Sequence, residues 1–283
     1  MEMLTPKNTL ICIFSYNMGA SLERCIQSTQ KMCEGFDLAI IDDQSEDPET
    51  QSVLERHKGA FRFFSLSQGK KEGKKHGNLY ENIQAMCDLA IREGYEYIFL
   101  VQDDMQFVRP MNEGICQQYT SLFEASENVL QVDPRFLRRS EQYEILDKLK
   151  AYQFAEGDLR RSYADVGILR LSILKSLAWT FRASEGENKR ALAEMGYVRL
   201  FPYSPVITHV PFPVTFRNGR KRPAKFLFHR GKYSFHEMTS EEQRSMDSRP
   251  VQAIPYFRKY LRPKNMVFAR LVYALVTDGS ALR

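Results

Sequence analysis

The first hundred residues alternate short apolar runs with amphipathic stretches, and this alternation constrains the fold more than any other feature. The apolar runs are rich in β-branched and aromatic residues and cover residues 9–16, 36–41, 60–67 and 97–101. The stretches between them carry apolar side chains at helical spacing and cover residues 19–32, 52–59 and 79–94. Such alternation predicts an α/β fold, in which a parallel sheet has helices on its faces.

Polar residues follow three of these predicted strands at the point where each strand ends. The three groups are Ser15-Tyr16-Asn17, Asp42-Asp43 and Gln102-Asp103-Asp104. Burying an unpaired carboxylate is costly, so the acids are not expected in the core. Ligands of parallel sheets bind beyond the carboxyl ends of the strands. The sequence therefore predicts that the three groups converge on one cleft.

Bulk properties indicate a soluble globular protein. Of the 283 residues, 43% are hydrophobic and 27% are charged, and no apolar run approaches the ~20 residues of a membrane span. The N-terminus lacks the basic start of a signal peptide. The five cysteines form no Cys-x-x-Cys pair, which favours a reducing, cytoplasmic location.

Charge is distributed unevenly along the chain. Residues 214–283 contain 15 Lys or Arg and 5 Asp or Glu, a net charge of +10, which leaves −5 on residues 1–213. The acidic part contains the three polar strand ends. The basic part is therefore predicted to be a separate C-terminal extension.

Four motifs, taken in order, resemble family 2 glycosyltransferases with the GT-A fold. They are ICIFSYNMGASLERCIQS, AIIDDQSEDPET, YIFLVQDDMQF and SEGENKRALAEMGYVRLFPYSPVITHV, and the resemblance covers roughly residues 8–210. Two departures stand out. Gln102 lies where many members have an acid, and Glu185 and Glu187 lie where many have Glu-Asp or a single Asp.

The resemblance implies a GT-A-like, Rossmann-like catalytic domain over residues 1–213. Residues 1–108 would form its nucleotide-binding half and residues 109–213 its acceptor-binding half. The basic extension, residues 214–283, would follow.

The resemblance also implies roles for residues at the strand ends. Asp104 would ligate Mn²⁺ or Mg²⁺, whose preferred ligands are carboxylate oxygens, and His209 would be a further metal ligand. Asp103 would bind the ribose. A solvent-exposed strand end is the alternative for the two acids, and a histidine satisfied within a Pro-rich loop is the alternative for His209.

The nucleotide itself would also contact Ser15, Tyr16, Asp43 and Lys75. Asp43 would accept a hydrogen bond from the base, and Tyr16, in the Ser15-Tyr16-Asn17 match, offers a ring for stacking. Lys75, on a Gly- and Lys-rich loop, would reach phosphate. The alternatives are a turn or helix cap for Asp43, a packed aromatic for Tyr16 and a solvated loop charge for Lys75.

A hydroxyl acceptor needs a base as it attacks the anomeric carbon. Glu187 fits that role by position, and Glu185 is the second candidate. Both lie at a predicted helix start, where acids are favoured in any case, so capping is the alternative reading.

The function predicted first is a metal-dependent hexosyltransferase. It would move a sugar from a nucleotide-diphosphate donor, UDP-linked by preference, to a hydroxyl of a glycan or lipid-linked acceptor, and the resemblance implies inversion. One alternative is a nucleotidyltransferase on a similar fold, although that usually needs a Gly-rich loop after the first strand, where this chain has only Gly19.

The other alternative is a nucleic-acid-binding protein without catalysis. Basic and aromatic residues interleave over residues 216–235, as they do on such surfaces. The acidic N-terminal part would repel phosphate backbones, which makes nucleic acid an unlikely partner.

The C-terminal segment 256–276 combines five basic residues with an apolar run of eleven residues, 266–276, too short to span a bilayer. It is predicted either to lie on an anionic membrane surface, at the inner face of the membrane, or to pack against the catalytic domain.

Overall fold

The computed structural model describes residues 2–68, 77–138, 141–210, 215–217, 220–222 and 234–264. The predicted phosphate-binding Lys75 lies outside these ranges, as does most of the predicted membrane segment, from residue 265 onward.

The strands, in chain order, are β1 (Thr9–Ser15), β2 (Asp37–Asp42), β3 (Phe63–Leu66), β4 (Tyr97–Gln102), β5 (Met105–Phe107), β6 (Val129–Val132), β7 (Tyr143–Leu146), β8 (Ala151–Phe154), β9 (Gly167–Arg170), β10 (Val198–Pro202), β11 (Ile207–His209), β12 (Thr215–Arg217), β13 (Arg220–Arg222), β14 (Ser234–Phe235) and β15 (Pro263–Lys264). The helices are α1 (Gly19–Met32), α2 (Pro48–His57), α3 (Leu79–Arg92), α4 (Glu113–Glu124), α5 (Leu171–Ser176), α6 (Glu185–Glu194), α7 (Ser240–Asp247) and α8 (Phe257–Tyr260).

Within the described ranges, the main sheet has nine strands in the order β3-β2-β1-β4-β9-β6-β10-β8-β7. The first four strands in this order are parallel, as the alternation of strands and helices predicts. Strand β9 runs antiparallel to both β4 and β6, so β6 points the same way as β4. The carboxyl ends of β1, β2, β4 and β6 therefore lie at one edge. The predicted fold class, an α/β sheet that is mostly parallel and flanked by helices, is confirmed.

Strand β1 is buried on both faces of the sheet, which explains why its sequence is apolar throughout. Ile11 and Ile13 join a core cluster that includes Leu22 of α1. Leu10 and Cys12 belong to a second cluster on the opposite face, with Ile83 of α3. A strand covered by helices on both faces reads as a continuous apolar run, and this is the pattern seen here.

Two helices begin earlier than the sequence analysis predicts, each because of an N-cap. Helix α2 begins at Pro48 instead of residue 52, since the Asp47 side chain accepts a hydrogen bond from the Thr50 amide. Helix α6, which the sequence predicts over residues 187–197, begins at Glu185, with Ser184 as its cap.

Two other features depart from the predicted elements. The sequence of residues 128–137 predicts a strand, but β6 ends at Val132, just before Asp133 and Pro134. The β7–β8 hairpin was not predicted, and it pairs with β10 to extend the far side of the sheet.

The described part of the basic extension packs against the main body. Phe235, Met246 and Leu261 share a cluster with Val108. Residues 265–276 of the predicted membrane segment lie outside the described ranges, so membrane docking stays a prediction. Across the ranges that the structure describes, no helix combines the length and apolar character needed to cross a bilayer. All five cysteines are buried and free, as expected of small core residues.

Candidate functional site

The end of β1 is flanked by acids from both neighbouring strands. Strand β1 pairs in parallel with β2 on one side and β4 on the other. The Asp43 amide donates to the Ser15 carbonyl at 2.9 Å, and the Asp103 amide donates to the Phe14 carbonyl at 3.1 Å. The Asp42-Asp43 group and the Gln102-Asp103-Asp104 group thus lie on either side of the Ser15-Tyr16-Asn17 group.

The turn after β1 is held by hydrogen bonds from both sides. The Tyr16 amide donates to Asp103 Oδ2 at 2.8 Å. Asn17 has a φ of 52°, a left-handed conformation that asparagine tolerates better than most residues. Its side-chain carbonyl accepts from the amides of Glu46 (2.8 Å) and Asp47 (2.9 Å). These contacts fix the position of the half-buried Tyr16 relative to Asp103 on one side and to the loop of Glu46 and Asp47 on the other.

Asp43 is nearly buried and anchors the start of α3. Its Oδ1 accepts from Asn78 Nδ2 at 2.8 Å, and its Oδ2 accepts from the Asn78 amide at 3.2 Å. A Cβ at Gly77, where φ is +60°, would lie 2.5 Å from Asp43 Oδ2. Each carboxylate oxygen keeps a second lone pair, so a further donor can still bind.

Tyr16 stands close to Asp43. Burial raises the pKa of the Tyr16 hydroxyl, and the charge of Asp43 raises it further. The neighbouring Ser15 hydroxyl is buried and has no hydrogen-bond partner within the described part of the chain. Ser15, Tyr16 and Asp43 therefore lie together at this edge of the sheet.

Asp104 and His209 meet although 105 residues separate them. Strand β11 pairs antiparallel with β5, with His209 opposite Met105, and the Val210 amide donates to the Asp104 carbonyl at 2.9 Å. This small sheet brings His209 Nδ1 to 3.1 Å from Asp104 Oδ1. Both side chains are 25% exposed, so the pair is partly open to solvent.

The two adjacent acids differ electrostatically. Burial raises the pKa of Asp103 well above its usual value, and the charge of Asp104 adds to this. Burial also acts to raise the pKa of Asp104. The interactions with His209 and, more weakly, with Arg24 of α1 act in the opposite direction and are larger, so the pKa of Asp104 is lowered. Asp104 is therefore the carboxylate of the pair that stays ionised to the lower pH.

An arginine–aspartate cluster that the sequence analysis did not predict lies beside His209. Asp133, which follows β6, is fully buried and accepts hydrogen bonds from Arg135 and Arg199. Arg135 Nη1 lies 3.0 Å from His209 Nε2. The available sequence signal was an apolar strand that ends on an acid, the same pattern that identified Asp43 and Asp103.

The two candidate bases at the start of α6 have different surroundings. Glu187 is exposed. Its amide donates to Ser184 Oγ at 3.3 Å, which caps the helix, and its Oε2 accepts from the Ser184 hydroxyl at 2.9 Å. Glu185 is half-buried and pairs with Lys189, with 2.8 Å between Glu185 Oε1 and Lys189 Nζ.

A further acid, Asp165, lies close enough to Glu185 to be affected by its charge. Burial raises the pKa of Asp165, and the charge of Glu185 raises it further. The backbone on either side of Asp165 is held by Gln131, whose Nε2 donates to the carbonyls of Ala164 and Val166, both at 2.8 Å. No motif in the sequence marked Asp165, which is brought to the site by the pairing of β9 with β6.

No protein-family model matches the chain, and no curated protein matches it. Solved structures do superpose on it. The crystal structure of S. aureus TarS 1-349 gives a TM-score of 0.48 at 14% identity, over 71% of this chain and 60% of that one. The mannosyltransferase PcManGT from Pyrobaculum calidifontis, in complex with GDP-Man and Mn²⁺, gives 0.47 at 16%, over 75% and 58%.

A structure of S. aureus TarS gives 0.48 at 11% identity, over 73% of this chain and 37% of that one. The chain thus spans less than two thirds of each of these proteins. At such identities and TM-scores the likenesses carry no argument about activity, which rests on the residues of this chain.

Proposed function

We propose that this chain is a metal-dependent glycosyltransferase. It transfers a hexose from a nucleotide-diphosphate donor, UDP-linked by preference, to a hydroxyl of a glycan or lipid-linked acceptor, with inversion. The observation that carries the proposal is the meeting of Asp103, Asp104 and His209 with the Ser15-Tyr16-Asp43 group at one sheet edge. That edge is where parallel α/β sheets bind ligands.

The residues at Asp104 fit a divalent cation that is shared with a diphosphate. Asp104 Oδ1 and His209 Nδ1 lie 3.1 Å apart and would offer one carboxylate oxygen and one imidazole nitrogen to such an ion. Within the described ranges, no three His, Cys, Asp or Glu side chains form a metal-binding group. Mg²⁺ is commonly held by one or two protein ligands together with substrate phosphates. When bound, such an ion would stabilise the charge of the leaving diphosphate.

The other residues would orient the donor. Asp103 would bind the ribose, Asp43 would accept a hydrogen bond from the base, Tyr16 would stack on the base and Ser15 would contact the nucleotide. Lys75 would reach the phosphates. Docking of the basic C-terminal segment on an anionic membrane would bring the enzyme to a lipid-linked acceptor.

We expect one nucleoside diphosphate of a panel to raise the melting temperature only when Mn²⁺ or Mg²⁺ is present. At a hundred times Kd the stabilisation is about 2.7 kcal/mol, which thermal unfolding detects readily. Asp104→Ala should abolish the metal-dependent part, since it removes the carboxylate beside His209. The exposed Asp88 on α3 provides a matched control, Asp88→Ala. Equal stabilisation of the Asp104→Ala protein with and without metal, at the wild-type level, would contradict the metal assignment.

We expect Tyr16→Ala and Asp43→Ala to weaken nucleoside diphosphate binding without changing its metal dependence. Loss of stacking or of one hydrogen bond costs about 0.5–1.5 kcal/mol. Tyr16→Phe retains the ring and should bind nearly as the wild type does. Calorimetric titration with pyrophosphate gives the control, because it has no base. A loss of pyrophosphate affinity as large as that of the nucleotide would make the two residues structural.

A further inference from the structure

The His209 ring lies between a carboxylate and a guanidinium. Its Nδ1 is 3.1 Å from Asp104 Oδ1, and its Nε2 is 3.0 Å from Arg135 Nη1. A guanidinium has only donors and keeps its charge in proteins, so Nε2 must accept. The ring hydrogen of a neutral imidazole then lies on Nδ1, where it donates to Asp104. Arg135 thus fixes the tautomer of His209.

Arg135 is itself held by a buried partner. Its Nε donates to Asp133 Oδ1 at 2.8 Å and its Nη2 to Asp133 Oδ2 at 2.5 Å. Arg199, which is 3% exposed, donates to the same carboxylate at 3.0 Å. One fully buried carboxylate therefore serves two guanidinium groups.

The cluster of Asp133, Arg135 and Arg199 carries one net positive charge. Its most exposed member is Arg135, whose side chain is 22% exposed. After Asp133, the acid that acts most strongly on Arg135 is Asp165, whose pKa is raised by burial and by the charge of Glu185. Of the five guanidinium hydrogens of Arg135, three are used by Asp133 and His209, and within the described ranges no other acceptor takes the remaining two.

The contact between Arg135 and His209 is incompatible with a cation on His209. A cation shared by Asp104 and Nδ1 needs the Nδ1 lone pair, so the ring hydrogen must move to Nε2. There it would face an N–H of Arg135 at 3.0 Å, donor against donor. A cation on Nε2 instead would meet the guanidinium directly. Either way, Arg135 must leave His209 before a cation can bind.

We propose that Arg135 leaves His209 for the phosphate oxygens of an incoming diphosphate, and that this exchange makes cation binding depend on the diphosphate. The inference rests on the proposed function, which supplies the diphosphate and the cation. Arginine binds phosphate through paired, charge-assisted hydrogen bonds, which a neutral imidazole nitrogen cannot match. Because coupling is reciprocal, the cation also strengthens diphosphate binding.

The test measures Mn²⁺ binding by electron paramagnetic resonance, with and without pyrophosphate, in the wild type and in Arg135→Gln. We expect the variant to bind Mn²⁺ alone more tightly than the wild type, by a factor within the 5- to 150-fold range of typical couplings. It should also bind pyrophosphate alone more weakly. The coupling between the two ligands should shrink, and because Mn²⁺ and pyrophosphate associate in solution equally in every sample, the comparison between variants isolates the protein's part.

Two controls keep this result interpretable. Asp133 retains Arg199 in Arg135→Gln, so no buried carboxylate loses all its partners, and thermal unfolding checks that the variant folds. Arg161→Gln removes an arginine that pairs with Glu144 instead, and should leave both affinities at wild-type values.

A second readout is the tautomer itself, seen in ¹⁵N-resolved spectra of the histidine rings. The wild type should show His209 protonated on Nδ1, and Mn²⁺-free Arg135→Gln should lose that preference. The proposal is overturned if Arg135→Gln binds Mn²⁺ alone as the wild type does, or if wild-type His209 carries its hydrogen on Nε2. Asp104→Ala separates the two claims: if it loses Mn²⁺ binding while Arg135→Gln behaves as wild type, the inference fails and the cation site stands.

Discussion

Glu185→Gln is expected to lower the rate of sugar transfer by ~10²–10⁴ while donor binding stays near its wild-type value. The carboxamide has the same shape but cannot accept the proton of the attacking hydroxyl. Glu185 is half-buried, it pairs with Lys189, and its charge is felt by Asp165, which Gln131 holds in place. A base fixed by such neighbours at the inner side of α6 is better placed to meet an acceptor than one in solvent.

The matched control lies two residues away. Glu187 is exposed and bonded to Ser184, and a glutamine there can still accept from the serine hydroxyl, so Glu187→Gln should keep most of its activity. The sequence analysis placed Glu187 ahead of Glu185, whereas the surroundings favour the reverse order. Steady-state rates of the two variants decide between them, and an inactive Glu187→Gln beside an active Glu185→Gln would restore the first order.

Several parts of the site follow from local sequence. Asp43 and Asp103 lie at the ends of apolar runs that are long enough for strands and are separated by helical spacing. Once those runs are read as parallel strands, the acids must meet at one edge, and the backbone bonds to Ser15 and Phe14 agree with this. Tyr16 follows from the same argument, because it begins the turn after the central strand.

Other parts could not be predicted, because they depend on contacts between distant segments. Asp133 meets Arg199 across 66 residues and Arg135 meets His209 across 74. These pairings require the β6–β10 and β5–β11 registers, which hydrophobic periodicity does not give. The β7–β8 hairpin was not predicted for another reason: two of its eight strand residues, Glu144 and Gln153, interrupt the short apolar runs.

Helix starts were misplaced for a third reason. Asp47 and Ser184 cap helices whose first turns are polar, so the apolar period begins only later in each helix. The error matters at α6, since the true start places Glu185 inside the first turn beside Lys189.

Asp104→Ala is expected to abolish measurable cleavage of the donor. A cation at a leaving group contributes several kcal/mol of transition-state stabilisation, and each 1.4 kcal/mol is a factor of ten in rate, so the loss is 10²-fold or more, in order of magnitude. The fold should persist, because the Asp104 side chain lies at the cleft and the Val210 contact uses its backbone carbonyl. Thermal unfolding without ligands checks this, with Asp88→Ala as the control.

The most direct measurement is the identity of the nucleotide released when the protein is incubated with a panel of UDP- and GDP-linked hexoses and Mn²⁺, with water or added glycans as acceptors. A glycosyltransferase breaks the bond between the anomeric carbon and the phosphate oxygen, so we expect a nucleoside diphosphate and a sugar product from the wild type. Chelation of the metal and Asp104→Ala should each stop this release. A wild-type protein that leaves every donor intact, that releases nucleoside monophosphate instead, or that is unaffected by both changes would contradict the account.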